Sequence, residues 1–187
     1  MSAGMEQTSL RQSGSAPFLL FLMEYMNLHI IATGGTFEKH YDEITGELVF
    51  NSSHIPAMME RARVSQSYTF EELSMLDSLD MQEADRENIL KSCRETVADR
   101  IVIVHGTDTM QDTAAVLGKA ALEKTIVLTG AMIPYEFGHS DAFFNLGFAV
   151  GSVQLLPSGV YILMNGHIFE WDKVTKNRRA GVFEAVS

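Results

Sequence analysis

The chain has 187 residues, 46% of them hydrophobic, and a formal net charge of −10. That length suits one domain around one substantial core, and the acidic balance argues against nucleic acid or an anionic membrane as the main partner. A single cysteine, Cys93, precludes an internal disulfide and fits a reducing, cytoplasmic setting.

Residues 1–25 differ from the rest. Ser2 to Ala16 is small and polar with one basic residue, Arg11, and is followed by the apolar run Pro17-Phe18-Leu19-Leu20-Phe21-Leu22-Met23. That run is far too short for a bilayer span of roughly 20 residues, and a signal peptide would carry more charge and a small-x-small cleavage site. It is expected to be a disordered or non-native extension, or an added arm that packs on the domain. The domain proper is expected over 26–187, and the extension should be dispensable for activity.

Leu28 to Ala32 reads as a buried strand closed by Thr33-Gly34-Gly35-Thr36. Tyr41 to Phe50, turning at Thr45-Gly46, reads as a hairpin or flap. Ile55 to Val64 suits a helix, and Ser67 to Leu76 a strand. Met81 to Val97 suits a helix capped by Asp80, with Glu83 three residues on and Cys93 as a packing residue. Ile101 to Val104 is a second buried strand, and it ends in His105-Gly106-Thr107-Asp108-Thr109-Met110. A helix to about Leu122, a strand Thr125 to Thr129, a helix Ser140 to Leu155 and a strand Gly159 to Met164 follow. The tail is mixed, with Trp171 and the basic residues Lys173, Lys176, Arg178 and Arg179. Alternating strands and helices indicate an α/β fold: a Rossmann-like three-layer α/β/α domain with a mostly parallel sheet.

Two strand ends each present a threonine on a glycine turn. Such turns suit the crevice at the carboxyl edge of an α/β sheet, where backbone N–H groups and a hydroxyl can meet a small ligand. The pattern lacks the G-x-G-x-x-G and P-loop spacings, the G-x-S-x-G elbow, and any H-E-x-x-H pair. The six histidines are scattered and most of them read as loop or surface residues, so no metal is expected. Thr107-Asp108-Thr109 admits two readings: caps for the Met110 helix, or two hydroxyls and a carboxylate at a reacting centre.

TGGTF at 33–37, HGTDTM at 105–110, LTGAMIP at 128–134, SDAFFNL at 140–146 and DKVTK at 172–176 occur in one order. In that order they resemble the amino-terminal domain of the L-asparaginase family, amidohydrolases with a threonine nucleophile, over about Asn27 to Val186. The resemblance implies Thr36 as nucleophile, with Thr107, Asp108 and Lys176 as the second threonine, its carboxylate and the lysine that completes the group. It implies Tyr41 as the flap tyrosine, and Ser78 in Asp77-Ser78-Leu79-Asp80-Met81 as the serine of the substrate-carboxylate loop. Gly35, Gly106 and Ala131 would line the bound amide. No cofactor is implied, and a homodimer or larger assembly is.

The resemblance further implies hydrolysis of the side-chain amide of asparagine through a threonine acyl-enzyme. A glutaminase, an amidase on another small amide, or a weakly catalytic amino-acid-binding module are the alternatives. A threonine hydroxyl needs a base or polarising partner, which Tyr41 could supply to Thr36 and Lys176 to Thr107. A lysine base must be neutral when it acts, whereas a neighbouring carboxylate favours the charged form. Burial must offset Asp108, or Lys176 serves as an electrostatic anchor. Longer family members add an acidic residue from a second domain to the neighbouring protomer's site. The sequence ends at Ser187, so Asp108 is expected to hold the substrate ammonium alone, or with an acid from a neighbour, and asparagine to bind weakly. Leu79 also stands where a polar residue is usual.

Overall fold

The computed structural model describes residues 28–186, so the expectations for residues 1–25 lie outside the described residues. A six-stranded sheet runs β4-β1-β5-β6-β7-β8. Its strands are β1 (Leu28–Gly34), β4 (Tyr68–Leu76), β5 (Arg100–Val104), β6 (Thr125–Thr129), β7 (Gly159–Met164) and β8 (His167–Glu170). The first five in that spatial order are parallel, and only β8 pairs antiparallel, at the edge. The nearly unbroken apolar runs of β5, β6 and β7 are what a sheet covered on both faces requires.

Successive side chains of a strand point to opposite faces, and the core divides accordingly. Leu28, Ile30, Val102 and Val127 meet α1 (Ile55–Arg61) and α4 (Ala142–Ser152) on one face. Ile31, Ile101, Ile103 and Ile126 meet α2 (Glu83–Glu95) and α3 (Met110–Lys119) on the other, with Cys93 among them. Burial of each such side chain contributes about 1.5–3 kcal/mol, and this is what holds the helices to the sheet. Cys93 is indeed a packing residue: it is fully buried, and burial pushes its thiol up to about 12.

Several local expectations are corrected. Gln82, not Asp80, caps α2, and Asp85 closes the capping box. The expected helices overrun at their ends. Arg63 and Ala121 adopt left-handed backbone after α1 and α3, which stops each helix early. Ser140 and Asp141 stay outside α4 because their side chains hold the preceding loop. Of the six histidines, His29, in the buried strand β1, and His105 are buried. The tail is ordered as strands: β8, then a hairpin of β9 (Val174–Asn177) with β10 (Val182–Ala185). The flap is a second hairpin, β2 (Lys39–Asp42) with β3 (Glu47–Phe50), separate from the main sheet.

Candidate functional site

The turns after β1 and β5 touch. Gly34 and Gly35 both have positive φ, 100° and 74°, which favours glycine. A Cβ on Gly35 would lie 2.3 Å from the Gly106 Cα, and one on Gly106 would lie 2.5 Å from the Ser78 Cβ. Thus Thr36 and Thr107 each follow one of two glycines in mutual contact, with Ser78 against the second. A Cβ on Gly130 would approach the Thr107 Cγ2 at 3.3 Å, which brings the turn after β6, and Ala131 within it, to the same place. Ser78 is 2% exposed and its carbonyl accepts the Thr109 hydroxyl at 2.7 Å.

That last bond settles part of the capping question. Thr109 is the N-cap residue of α3, yet its hydroxyl serves Ser78 rather than the helix. Asp108 is also turned elsewhere. Lys176 Nζ donates to Thr107 Oγ1 at 2.7 Å and to Asp108 Oδ1 at 2.9 Å. The Lys176 side chain is 8% exposed, so it is not a solvated member of the basic tail. Among the described residues, Asp108 Oδ2 has no hydrogen-bond partner, and the carboxylate is partly exposed.

Lys176 arrives from far along the chain. Val174 and Phe183 insert into the second apolar cluster and seat the β9–β10 hairpin on α3. Gln111 Oε1 accepts the Lys176 N–H at 3.3 Å, and Trp171 packs so closely on α3 that a Cβ on Gly118 would meet its ring at 2.3 Å. Beneath Gly106, His105 is fully buried; its Nδ1 lies 2.8 Å from the Gly106 carbonyl and its Nε2 2.8 Å from the Thr113 hydroxyl. A carbonyl can only accept, so Nδ1 carries the proton and Thr113 donates to Nε2. Burial, with Arg86 adding to it, pushes the imidazole down to about 4 despite the Gly106 bond.

The flap side is more open. Thr36 opens a short 3-10 turn, Thr36–Glu38, and among the described residues its hydroxyl has no hydrogen-bond partner. Tyr41 is 52% exposed, and its hydroxyl likewise has no partner among the described residues, so the structure does not bring Tyr41 onto Thr36. The flap is tied at its base. Lys39 Nζ meets Asp77 Oδ2 at 2.6 Å, a bond that holds the Asp77 carboxyl below the usual range, and the Tyr41 N–H donates to Glu136 Oε2 at 2.5 Å. Glu38 is buried, its carboxyl raised by burial while accepting the Ser53 hydroxyl and the His54 N–H.

Sequence reasoning missed the residues that shape the Ala131 turn. Asp141 accepts the N–H groups of Met132 and Ile133, and Asn145 Nδ2 donates to the Gly130 carbonyl at 2.9 Å. The signal was available: an Asp just before an apolar helix reads as its start. Among the described residues, no group of three or more His, Cys, Asp or Glu is placed to hold a metal ion, and no helix is long and apolar enough to cross a membrane.

Comparison with known proteins finds the same pattern. The family model described as Asparaginase, N-terminal, matches residues 27–186. One component of the glutamyl-tRNA(Gln) amidotransferase of Methanococcus maripaludis strain C5 is 33% identical, over 86% of this chain and 42% of its own length. The glutaminase-asparaginase of Acinetobacter glutaminasificans is 31% identical over 80% of this chain and 49% of its own. Among solved structures, the thermostable L-asparaginase from Thermococcus kodakarensis superposes with a TM-score of 0.74 at 27% identity, covering 86% of this chain and 51% of that one. The chain therefore spans about half the length of the relatives it matches.

Proposed function

The chain belongs to the asparaginase family, and on that premise we propose that it is an amidohydrolase that cleaves the side-chain amide of asparagine through a threonine acyl-enzyme. The observation that carries this reading is the Thr107–Lys176–Asp108 group, hydrogen-bonded beside the Gly35–Gly106 contact. The Thr36 hydroxyl attacks the amide carbon, and the carbonyl oxygen becomes the oxyanion. The Gly35 N–H is committed to the Leu76 carbonyl at 2.8 Å, so the oxyanion takes the N–H groups of Thr36 and Thr107. The C–N bond breaks and ammonia leaves; water then cleaves the Thr36 ester to release the acid and restore the hydroxyl.

Lys176 donates to Thr107 Oγ1, so the Thr107 proton points away from the lysine and is free to serve the substrate. Thr107 thereby hands its proton to the departing nitrogen and takes back the one that Thr36 gives up on attack, with Lys176 holding its oxygen in place. Asp108 Oδ2 faces the substrate ammonium, Ser78 its carboxylate, and the Ala131 turn its amide. Tyr41 completes the site by closing with the flap onto Thr36. We assign the protein to the cytoplasm and to a homodimer or larger assembly; its single cysteine, buried in the core, accords with the first.

The amidotransferase component at 33% identity favours a second reading, in which glutamine is the amide donor and the nitrogen passes to an acceptor. One assay separates them: ammonia release from asparagine and from glutamine, with mass spectrometry of the acyl-enzyme. Release from asparagine with an adduct on the Thr36 peptide upholds the proposal. Release from glutamine alone moves it to the second reading, and no adduct with either amide overturns the threonine mechanism.

A further inference from the structure

The flap and the Ser78 loop share one carboxylate. Asp77 Oδ1 accepts the Leu79 N–H at 3.1 Å, which closes a turn around Ser78, while Oδ2 meets Lys39 Nζ at 2.6 Å. Lys39 is the first residue of β2 and follows Thr36 by three positions. Its register partner on β3 is Phe50, and the ammonium lies 5.7 Å from the centroid of that ring. The lysine is thus held between an aromatic face of the flap and the carboxylate beside Ser78. Both side chains of the ion pair are partly buried, at 20% and 32% exposed, so salt screens it less than a surface pair.

Uncharged contacts already fix the loop. The Ser78 carbonyl accepts the Thr109 hydroxyl, Gly106 packs directly on the Ser78 side chain, and the Gly35 N–H donates to the Leu76 carbonyl. What Lys39 adds is charge. Its bond holds the Asp77 carboxyl below the usual range, so Asp77 is an anion at neutral pH. Adjacent Cα atoms are about 3.8 Å apart, which puts an anion bound at Ser78 well inside the roughly 10 Å over which salt screens the Asp77 charge. Uncompensated, two like charges at that range repel. Lys39 compensates and has capacity to spare: an ammonium has three donors, and among the described residues Asp77 is the one side chain they meet.

We propose that Lys39 is a specificity-determining residue for amides that carry a free carboxylate: it neutralises Asp77 and so lets an anionic group bind at Ser78. The inference rests on the reading of Ser78 as the residue that receives the substrate's carboxylate. It narrows the substrate class to small amides with a free carboxylate. Because the lysine belongs to the flap, it also joins recognition of that carboxylate to the element that carries Tyr41.

The test uses the full chain carrying Thr36→Ala, so that no ligand is turned over, and reads binding by NMR titration. Three ligands are compared: asparagine, succinamate, which keeps the carboxylate but lacks the amino group, and 3-aminopropanamide, which keeps the amino group but lacks the carboxylate. Each is titrated into this parent and into the parent with Lys39→Met, with Asp77→Asn, and with both. Asp77→Asn keeps an oxygen to accept the Leu79 N–H, so the turn survives the loss of charge. Lys39→Met should weaken asparagine and succinamate about tenfold, because Asp77 is left as an unpaired anion. Adding Asp77→Asn should restore most of that loss, and Asp77→Asn alone should bind both ligands at least as tightly as the parent. 3-Aminopropanamide should be weakened by none of these changes. A merely structural tie would weaken every variant alike. Equal losses in Lys39→Met and in the double variant, or a matching loss for 3-aminopropanamide, therefore overturn the proposal and leave the Ser78 reading in place. Asparagine and succinamate binding no more tightly than 3-aminopropanamide in the parent would instead overturn the Ser78 reading, and the proposal with it.

Discussion

The two threonines of the site stand on opposite terms with their surroundings. Thr107 is almost fully buried, held by Lys176, backed by the His105–Thr113 pair and packed against Gly130. Thr36 is attached just as tightly through its backbone, by the Gly35–Gly106 contact, yet its hydroxyl has no partner among the described residues. In the proposed reaction one side would be finished before substrate arrives, and the other would wait for the flap, whose Tyr41 is half exposed. A site with a fixed half and a closing half is what acyl transfer benefits from: charge placement is preorganised, and water is excluded only once substrate is bound. The difference teaches that hydrogen bonding and reactivity need not coincide, since the least partnered hydroxyl is the one proposed to attack.

Substitutions can break this contrast. Thr36→Ala should cut kcat by at least about 1,000-fold while leaving Tm unchanged, because no hydrogen bond is lost. A variant with more than a tenth of wild-type kcat would refute Thr36 as nucleophile. Lys176→Met should lower kcat by about 100-fold or more and also destabilise the protein, by about 1–3 kcal/mol, because Thr107 and Asp108 lose a buried donor. Urea unfolding beside the kinetics reads both effects, and unchanged stability would contradict the geometry of the fixed half.

Glycine substitutions sharpen the comparison within the flap side. Gly35 and Gly46 have nearly equal φ, 74° and 75°, but only Gly35 faces backbone; Gly46 faces nothing within 4 Å. Gly46→Ala should therefore cost only the conformational penalty, about 1 kcal/mol, and Gly35→Ala should cost about 2 kcal/mol more by prising the two turns apart. Equal losses of Tm would remove the claim that the turns are locked.

The fixed half should also be the one that fails in acid. The His105 imidazole, near 6.5 when unfolded, is pushed down to about 4 in the fold. Between those values the unfolded chain binds the extra proton, so stability rises with pH. The contribution is complete above about pH 6.5 and is lost as pH falls toward 4, a span of roughly 3 kcal/mol at most. Denaturation of wild type and His105→Gln across that range should show a steeper loss for wild type, and parallel slopes would exclude His105 as the cause. The smallest effect is expected at the exposed flap. Tyr41→Phe should reduce kcat about tenfold with stability unchanged within about 0.5 kcal/mol. Unaltered kcat would leave the flap without its proposed chemical part.

Much of the molecule was already legible in its residues. The strands over Thr125–Thr129 and Gly159–Met164 match their expected bounds to the residue, since a strand covered on both faces carries a nearly continuous apolar run. Glycine turns after two such runs pointed to the site, because few other residues allow backbones to touch as Gly35 and Gly106 do. Local patterns set these features, so one chain suffices to read them. Other features depend on partners distant in sequence. The strands β8, β9 and β10 are four residues long and partly charged, and they exist because Trp171, Val174 and Phe183 find α3 and its cluster. Reading Lys176 from its neighbours alone gives a member of a basic surface run; only the hairpin's docking buries it against Thr107, 69 residues away. His105 looked like a loop histidine until Thr113, one helical turn inside α3, took its Nε2. The sequence by itself determined which residues could do chemistry and where the strands end, because those follow from local conformational preference. Tertiary structure alone decided which of them are buried together, because burial and hydrogen-bond partnership belong to contacts between segments that no local pattern encodes.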